Sequence, residues 1–256
     1  VGFNEKSFSQ TIRRSCVLLS AAITAVSCSP ASAPVSTQCV VNADQTTLFK
    51  GHWTSRPIPL AVVVNDFSQT DLAQVEAAIA TWNSFFQTSK GYELYLSNSS
   101  TSAIPLSVTP SGGARLTSAT ACSTSVVGPN GFTNNIMIYK NTSTWTYGSS
   151  IMALTSLCPV TTTTSTYKMF VSAVMEINYI DYFQAGKPVP DLQTVVLHEL
   201  GHVMGLDHSC NGTGCTNAPA DYVSAVMYPT IGFSGIYGNV NRTLQTNDQE
   251  RANCLY

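Results

Sequence analysis

Charged side chains are scarce in this chain. Asp, Glu, Lys and Arg make up 10% of its 256 residues, against roughly a quarter in an average soluble protein. With a formal net charge of −2, it lacks the basic field that would gather nucleic acid or an acidic membrane face. No CxxC pair occurs, which argues against a cysteine-built zinc site. The N-terminal apolar stretch, residues 17–26, is too short to span a bilayer, which takes about 20 residues. No internal repeat is evident. Ser, Thr, Asn and Gln fill the deficit of charge, so the expected molecule is a neutral extracellular globule of one domain with appendages.

The N-terminal residues read as an export signal over 1–27. Lys6, Arg13 and Arg14 precede the apolar stretch, which closes on Ala25-Val26-Ser27 just before Cys28. A rival cut after Ala31-Ser32-Ala33 meets Pro34, whose ring suits a peptidase subsite badly. The string at 25–28 resembles the lipobox of bacterial lipoproteins, with Ala25 where Leu is usual. That resemblance implies acylation of Cys28 and a cell-envelope location. Ser29 in place of Asp favours the outer surface. Cleavage without acylation would give a freely secreted protein, and both outcomes stay open. Residues 28–50, rich in Ser, Pro, Ala and Thr, read as a tether to a domain at 51–256. Four Asn-x-Ser/Thr sites, at Asn98, Asn141, Asn211 and Asn241, are read as chance matches in a Ser/Thr-rich chain.

Six cysteines lie beyond Cys16 and Cys28: Cys39, Cys122, Cys158, Cys210, Cys215 and Cys254. In an exported chain they read as a disulfide set with about 15 connectivities open to it. Cys210 and Cys215 bracket a turn-rich loop able to close on itself, leaving Cys39 with Cys254 and Cys122 with Cys158 as the simplest pairs.

Residues 60–64 form a short apolar run that reads as a buried strand, and further strands are expected at 92–96, 134–139 and 170–177. Leu72, Val75, Ile79, Trp82 and Phe86 recur at spacings of 3 and 4, one apolar face of a helix capped by Ser68 or Thr70, with Asp71 in its first turn. Stretches 97–109 and 161–166 read as surface loops.

A second helix starts at Pro190-Asp191 and runs into His198-Glu199-Leu200-Gly201-His202. Residues four apart stand one above the other on a helix, so His198 and His202 can face one cation. Glu199, about 100° round the helix, can reach a metal-bound water without being a ligand. A catalytic zinc takes three protein ligands and keeps one position open. His208 supplies the third only if the helix ends first, and Gly205 permits the necessary turn. Three of the chain's four histidines are used in this string. His52, the fourth, is expected as a surface or loop residue.

The string from His198 to Ser209 resembles the zinc signature of the metzincin peptidases, and Ser224-Ala225-Val226-Met227-Tyr228-Pro229 resembles their Met-turn. Ser209 after the third histidine is similar to the matrixins. Pro229 stands where astacins carry a metal-binding Tyr, so Tyr228 is expected in the pocket wall. The resemblance implies an α/β zincin-like metzincin domain: a twisted, mainly parallel sheet, an active-site helix, and a small irregular C-terminal subdomain after Gly205. It implies one catalytic zinc on His198, His202 and His208, with Met227 beneath. Zinc-activated water with Glu199 as general base would hydrolyse peptide bonds in extracellular proteins or peptides. Tyr228, Pro229 and residues on to Tyr237 would shape the substrate pocket.

The chain departs from that pattern in lacking a PRCG-like cysteine switch, so latency of that kind is not expected. His52 alone is left for a second, structural zinc, so that site is not expected either. Calcium is possible but undetermined. At the final helix the usual acidic pair appears as Asn247-Asp248, leaving Asp248 for any buried ion-pair role. The molecule is expected to be a monomer that meets a membrane only through an N-terminal lipid. An exported binding domain with a purely structural zinc is the rival class, and its mark would be loss of Glu199, which is present.

Overall fold

The computed structural model describes residues 35–41, 49–54, 56–62, 67–96, 136–142, 144–160 and 168–256. The export signal, Cys28, Asn98, Cys122 and the loops at 97–109 and 161–166 lie outside them.

Apolar residues at helical spacing, with no proline to interrupt them, give α1 (Gln69–Lys90). Of the two candidate caps it is Ser68 whose side chain accepts the Asp71 N–H, at 3.1 Å. Gly91 ends the helix in the left-handed region at φ 80°. Val75, Ile79, Trp82 and Phe86 are buried as the spacing predicts, while Leu72 packs at the edge of the core.

Six strands make the main sheet: β1 (His52–Trp53), β2 (Ile58–Val62), β3 (Tyr95–Leu96), β4 (Ile136–Asn141), β5 (Ala153–Val160) and β6 (Met169–Asn178). The order β1-β6-β4-β2-β3 is parallel throughout, and β5 alone runs antiparallel, along β6. The mainly parallel sheet is therefore present, with an unanticipated antiparallel strand. Pro159 near the end of β5 cannot donate to a ladder, so it suits a strand whose only partner among the described residues is β6. The register shifts there, between Cys158 and Pro159. The strand expected at 92–96 shrinks to two residues, and His52 stands half-buried in β1 rather than in a loop.

Against this sheet and α1 packs α2 (Leu192–Met204), which buries Leu197, Leu200, Val203 and Met204 completely. Asp191 caps it by accepting the Thr194 N–H at 2.9 Å. The four carbonyls that a helix end leaves without intrahelical partners all find donors. Gly201 O takes the Leu206 N–H and His202 O the Gly205 N–H, each at 3.0 Å. Val203 O takes the Trp53 indole at 2.7 Å, and Met204 O the Tyr256 hydroxyl at 2.9 Å. Further back, Trp82 donates to Leu197 O at 3.0 Å and Tyr95 to Leu200 O at 2.6 Å. Four aromatic donors from four elements or termini thus pin one helix.

Beyond Gly205 the chain becomes irregular: a 3-10 turn (Gly212–Cys215), α3 (Ala220–Ser224), a hairpin of β7 (Phe233–Ser234) and β8 (Tyr237–Gly238), and α4 (Thr246–Leu255). Gln245 and Asp248 form a capping box on α4. Disulfides join Cys39 to Cys254 and Cys210 to Cys215. Cys158 is also disulfide-bonded, and its expected partner Cys122 lies outside the described residues. The segment 28–50 is no plain tether in its described parts. Ser36 N–H donates to Gln249 Oε1, and Asn253 Nδ2 to Ser36 O, both at 2.8 Å. Lys50 N–H donates to Gly205 O at 2.8 Å, beside a bridge between Phe49 and Leu206. Side chains of α4 that periodicity alone would call polar surface hold that segment.

Candidate metal centre

Gly205 decides the local path. At φ 118° it stops α2, and a Cβ there would fall 2.0 Å from Gly51 O, so only glycine fits both the turn and the close approach. The chain then reverses and brings His208 back to the helix. One ring nitrogen each from His198, His202 and His208 lies within 4.8 Å of the others. Two ligands on one tetrahedral zinc stand about 3.3 Å apart, inside that limit. The structure thus brings all three predicted ligands together.

Backbone carbonyls orient two of the rings. His198 Nδ1 pairs with Val226 O at 2.7 Å, and His202 Nδ1 with Leu206 O at 2.8 Å. A carbonyl can only accept, so Nδ1 carries the proton in each and Nε2 keeps a lone pair for a metal. Burial, reinforced by the neighbouring His202, pushes the His198 pKa down to about 3. Burial and then His208 push His202 down to about 4. Neutral, oriented imidazoles are the ligand set that zinc takes, so the residues fit the ion.

Glu199 is 6% exposed beside this cluster. Burial raises its carboxyl above the usual range, opposed by His198 and by a hydrogen bond from Thr155. Thr155 Oγ1 stands 2.6 Å from Glu199 Oε2. Nothing in the local sequence singles out Thr155, because its contact comes from β5, 44 residues away.

Met227 is fully buried under α2. Its turn is fixed from two sides. Asp248 accepts the N–H groups of Val226 and Met227, at 2.8 and 3.0 Å, and that of Gln245 at 2.9 Å. Asp248 therefore clamps backbone amides, a fuller role than the ion pair expected of it. Ser209 N–H donates to Met227 O and Ser209 Oγ to Tyr222 O, both at 2.8 Å. The residue that follows the third histidine thus ties the ligand loop to the methionine turn. Asp207 braces the loop from outside: it accepts Lys50 Nζ at 2.6 Å and the His208 N–H at 2.9 Å.

The cluster opens on a cleft of about 720 Å³ lined by Met152 just before β5, Thr155 of β5, Val195 of α2, and Tyr228, Pro229 and Ile231 after the methionine turn. That volume suits a ligand-binding cleft. Tyr228 and Pro229 stand in this wall, which among the described residues runs on as far as Phe233. Tyr237 bridges to Val189 and is 64% exposed, so it lies outside the wall predicted to include it.

A protein-family model, Matrixin, matches residues 127–256, half of the chain. Among curated proteins no sequence matches it. The matched span holds α2, the ligand loop and the methionine turn, while α1 and β1 to β3 fall before it.

Proposed function

The chain belongs to the matrixin family of zinc metallopeptidases, and from that we propose that it is an exported endopeptidase that cleaves extracellular proteins or peptides with Glu199 as general base. The observation that carries this reading is the Glu199 carboxylate buried beside three convergent imidazoles at the floor of an open cleft.

His198, His202 and His208 would hold the zinc. When bound, zinc supplies a Lewis acid that polarises the scissile carbonyl and makes water nucleophilic near neutral pH. Glu199 takes the proton from the attacking water and hands it to the departing amine, and its upward-shifted carboxyl suits both halves of that exchange. Tyr228, Pro229 and Val195 line the cleft and receive the substrate side chains. We read residues 1–27 as the export signal, Cys28 as a lipid attachment point on the outer surface of a bacterial envelope, and the protein as a monomer. The disulfides support an oxidising compartment.

The test is zinc content and cleavage of a quenched-peptide library by the wild type and by Glu199→Ala. We expect about one zinc in each and turnover in the wild type alone. Zinc in both with cleavage by neither would leave a zinc-stabilised binding module. Palmitate labelling that vanishes in Cys28→Ser would support lipidation, and no labelling of the wild type would favour free secretion.

A further inference from the structure

An ionised carboxylate only accepts hydrogen bonds, so the hydroxyl at 2.6 Å from Glu199 Oε2 must be the donor. That length is typical of a charge-assisted O–H···O⁻ bond. The same hydroxyl lies 3.4 Å from Glu199 O, but it has a single proton, and the shorter contact to the charged group takes it. Among the described residues no donor reaches Oε1.

We propose that Thr155 is a positioning residue for Glu199: its hydroxyl holds Oε2, fixes the carboxylate plane and leaves Oε1 as the oxygen that receives the proton. The inference rests on the role proposed for Glu199.

A glutamate has three rotatable bonds, and a base that wanders among rotamers spends little time in reach of its proton. Thr155 removes that freedom from outside the helix. It stands on β5, held by the ladder to β6 opposite Met175, and its β-branched side chain is stiff at χ1. The bond therefore joins two elements of the cleft lining, the strand β5 and the helix α2. It also makes the geometry of the base depend on where β5 stands.

Thr155→Val keeps the shape and removes the donor, Thr155→Ala removes the methyl group as well, and Thr155→Ser restores the hydroxyl. On a fluorogenic peptide, Thr155→Val is expected to lose about 10- to 100-fold in kcat, with KM within about twofold and zinc content unchanged. Thr155→Ser should return to within about threefold of the wild type. Independently of turnover, the ¹³Cδ resonance of Glu199 in the metal-free protein, identified by its loss in Glu199→Gln, should move in Thr155→Val and return in Thr155→Ser. Unchanged kcat in Thr155→Val, equal losses in the Val and Ser variants, or a resonance that stays in place would each overturn the inference. A wild type that cleaves nothing would instead sink the peptidase reading, while the resonance would still decide whether the hydroxyl holds the carboxylate.

Discussion

Gly201 and Met227 meet so closely that a single methyl group has no place between them: a Cβ on Gly201 would lie 2.2 Å from Met227 Sδ. The glycine inside the histidine motif is thus set by the methionine 26 residues later. Gly201→Ala should improve helix propensity by about 1 kcal/mol yet overpack the site at a cost of about 1–3 kcal/mol. We expect a net lower melting temperature and a weaker hold on zinc, read by calorimetry and by competition with a chelator. Higher stability with unchanged zinc affinity would show that Met227 yields without cost.

Asp248 holds three backbone N–H groups with one carboxylate. Asp248→Asn turns one acceptor oxygen into an NH₂ group that faces donors. A buried donor left without an acceptor costs about 1–3 kcal/mol, so the variant should lose at least that much in urea unfolding. The damage should reach the metal, because Val226 O orients His198. Retained stability would mean that the clamp is dispensable.

The two described disulfides should fail differently. Cys39 and Cys254 close a loop of 215 residues, and the chain-entropy model gives such a loop about 5 kcal/mol. Cys210 and Cys215 close a span of 5, worth about 2 kcal/mol on the same model, but they begin two residues after His208. Replacing the first pair by serine should lower the melting temperature most. Replacing the second should speed zinc loss to a chelator more than it lowers stability. Identical effects of both on zinc release would refute the distinction.

The metal-free protein should weaken as pH falls below neutrality. Burial holds His198 at about 3 and His202 at about 4, while an unfolded histidine titrates near 6.5. Between those values the unfolded chain binds protons that the folded chain refuses, so stability must decline with falling pH. Urea midpoints should be level above about pH 7.5 and drop steadily from 6.5 toward 4. A midpoint that rises on acidification would mean that the rings are charged in the fold or that the upward-shifted Glu199 and Asp248 carboxyls outweigh them.

The ligand set was legible in the sequence because all three histidines fall between residues 198 and 208 and local geometry nearly suffices to join them. Helix α1 was legible for a similar reason, since Val75, Ile79, Trp82 and Phe86 report one face through spacing alone. Thr155 and β5 were not. Residues 153–160 mix apolar and hydroxyl side chains without alternation, so no period marks a strand there, and among the described residues β5 pairs with β6 alone. The Cys39–Cys254 link was among the expected pairs, but the hydrogen bonds that hold Ser36 were hidden, because Gln249 and Asn253 look like ordinary polar helix surface until the disulfide brings Ser36 beside them.

The aromatic pins on α2 bear on what happens when the ion is lost. Trp53, Trp82, Tyr95 and Tyr256 reach that helix from points spread along almost the whole described chain, so freeing any turn of it means disturbing several distant segments at once. Its amides should exchange with solvent deuterium only through the rarest, global opening. Loss of the metal and loss of the fold are then separate events. An emptied enzyme would keep two of its three ligands in place, ready to be recharged.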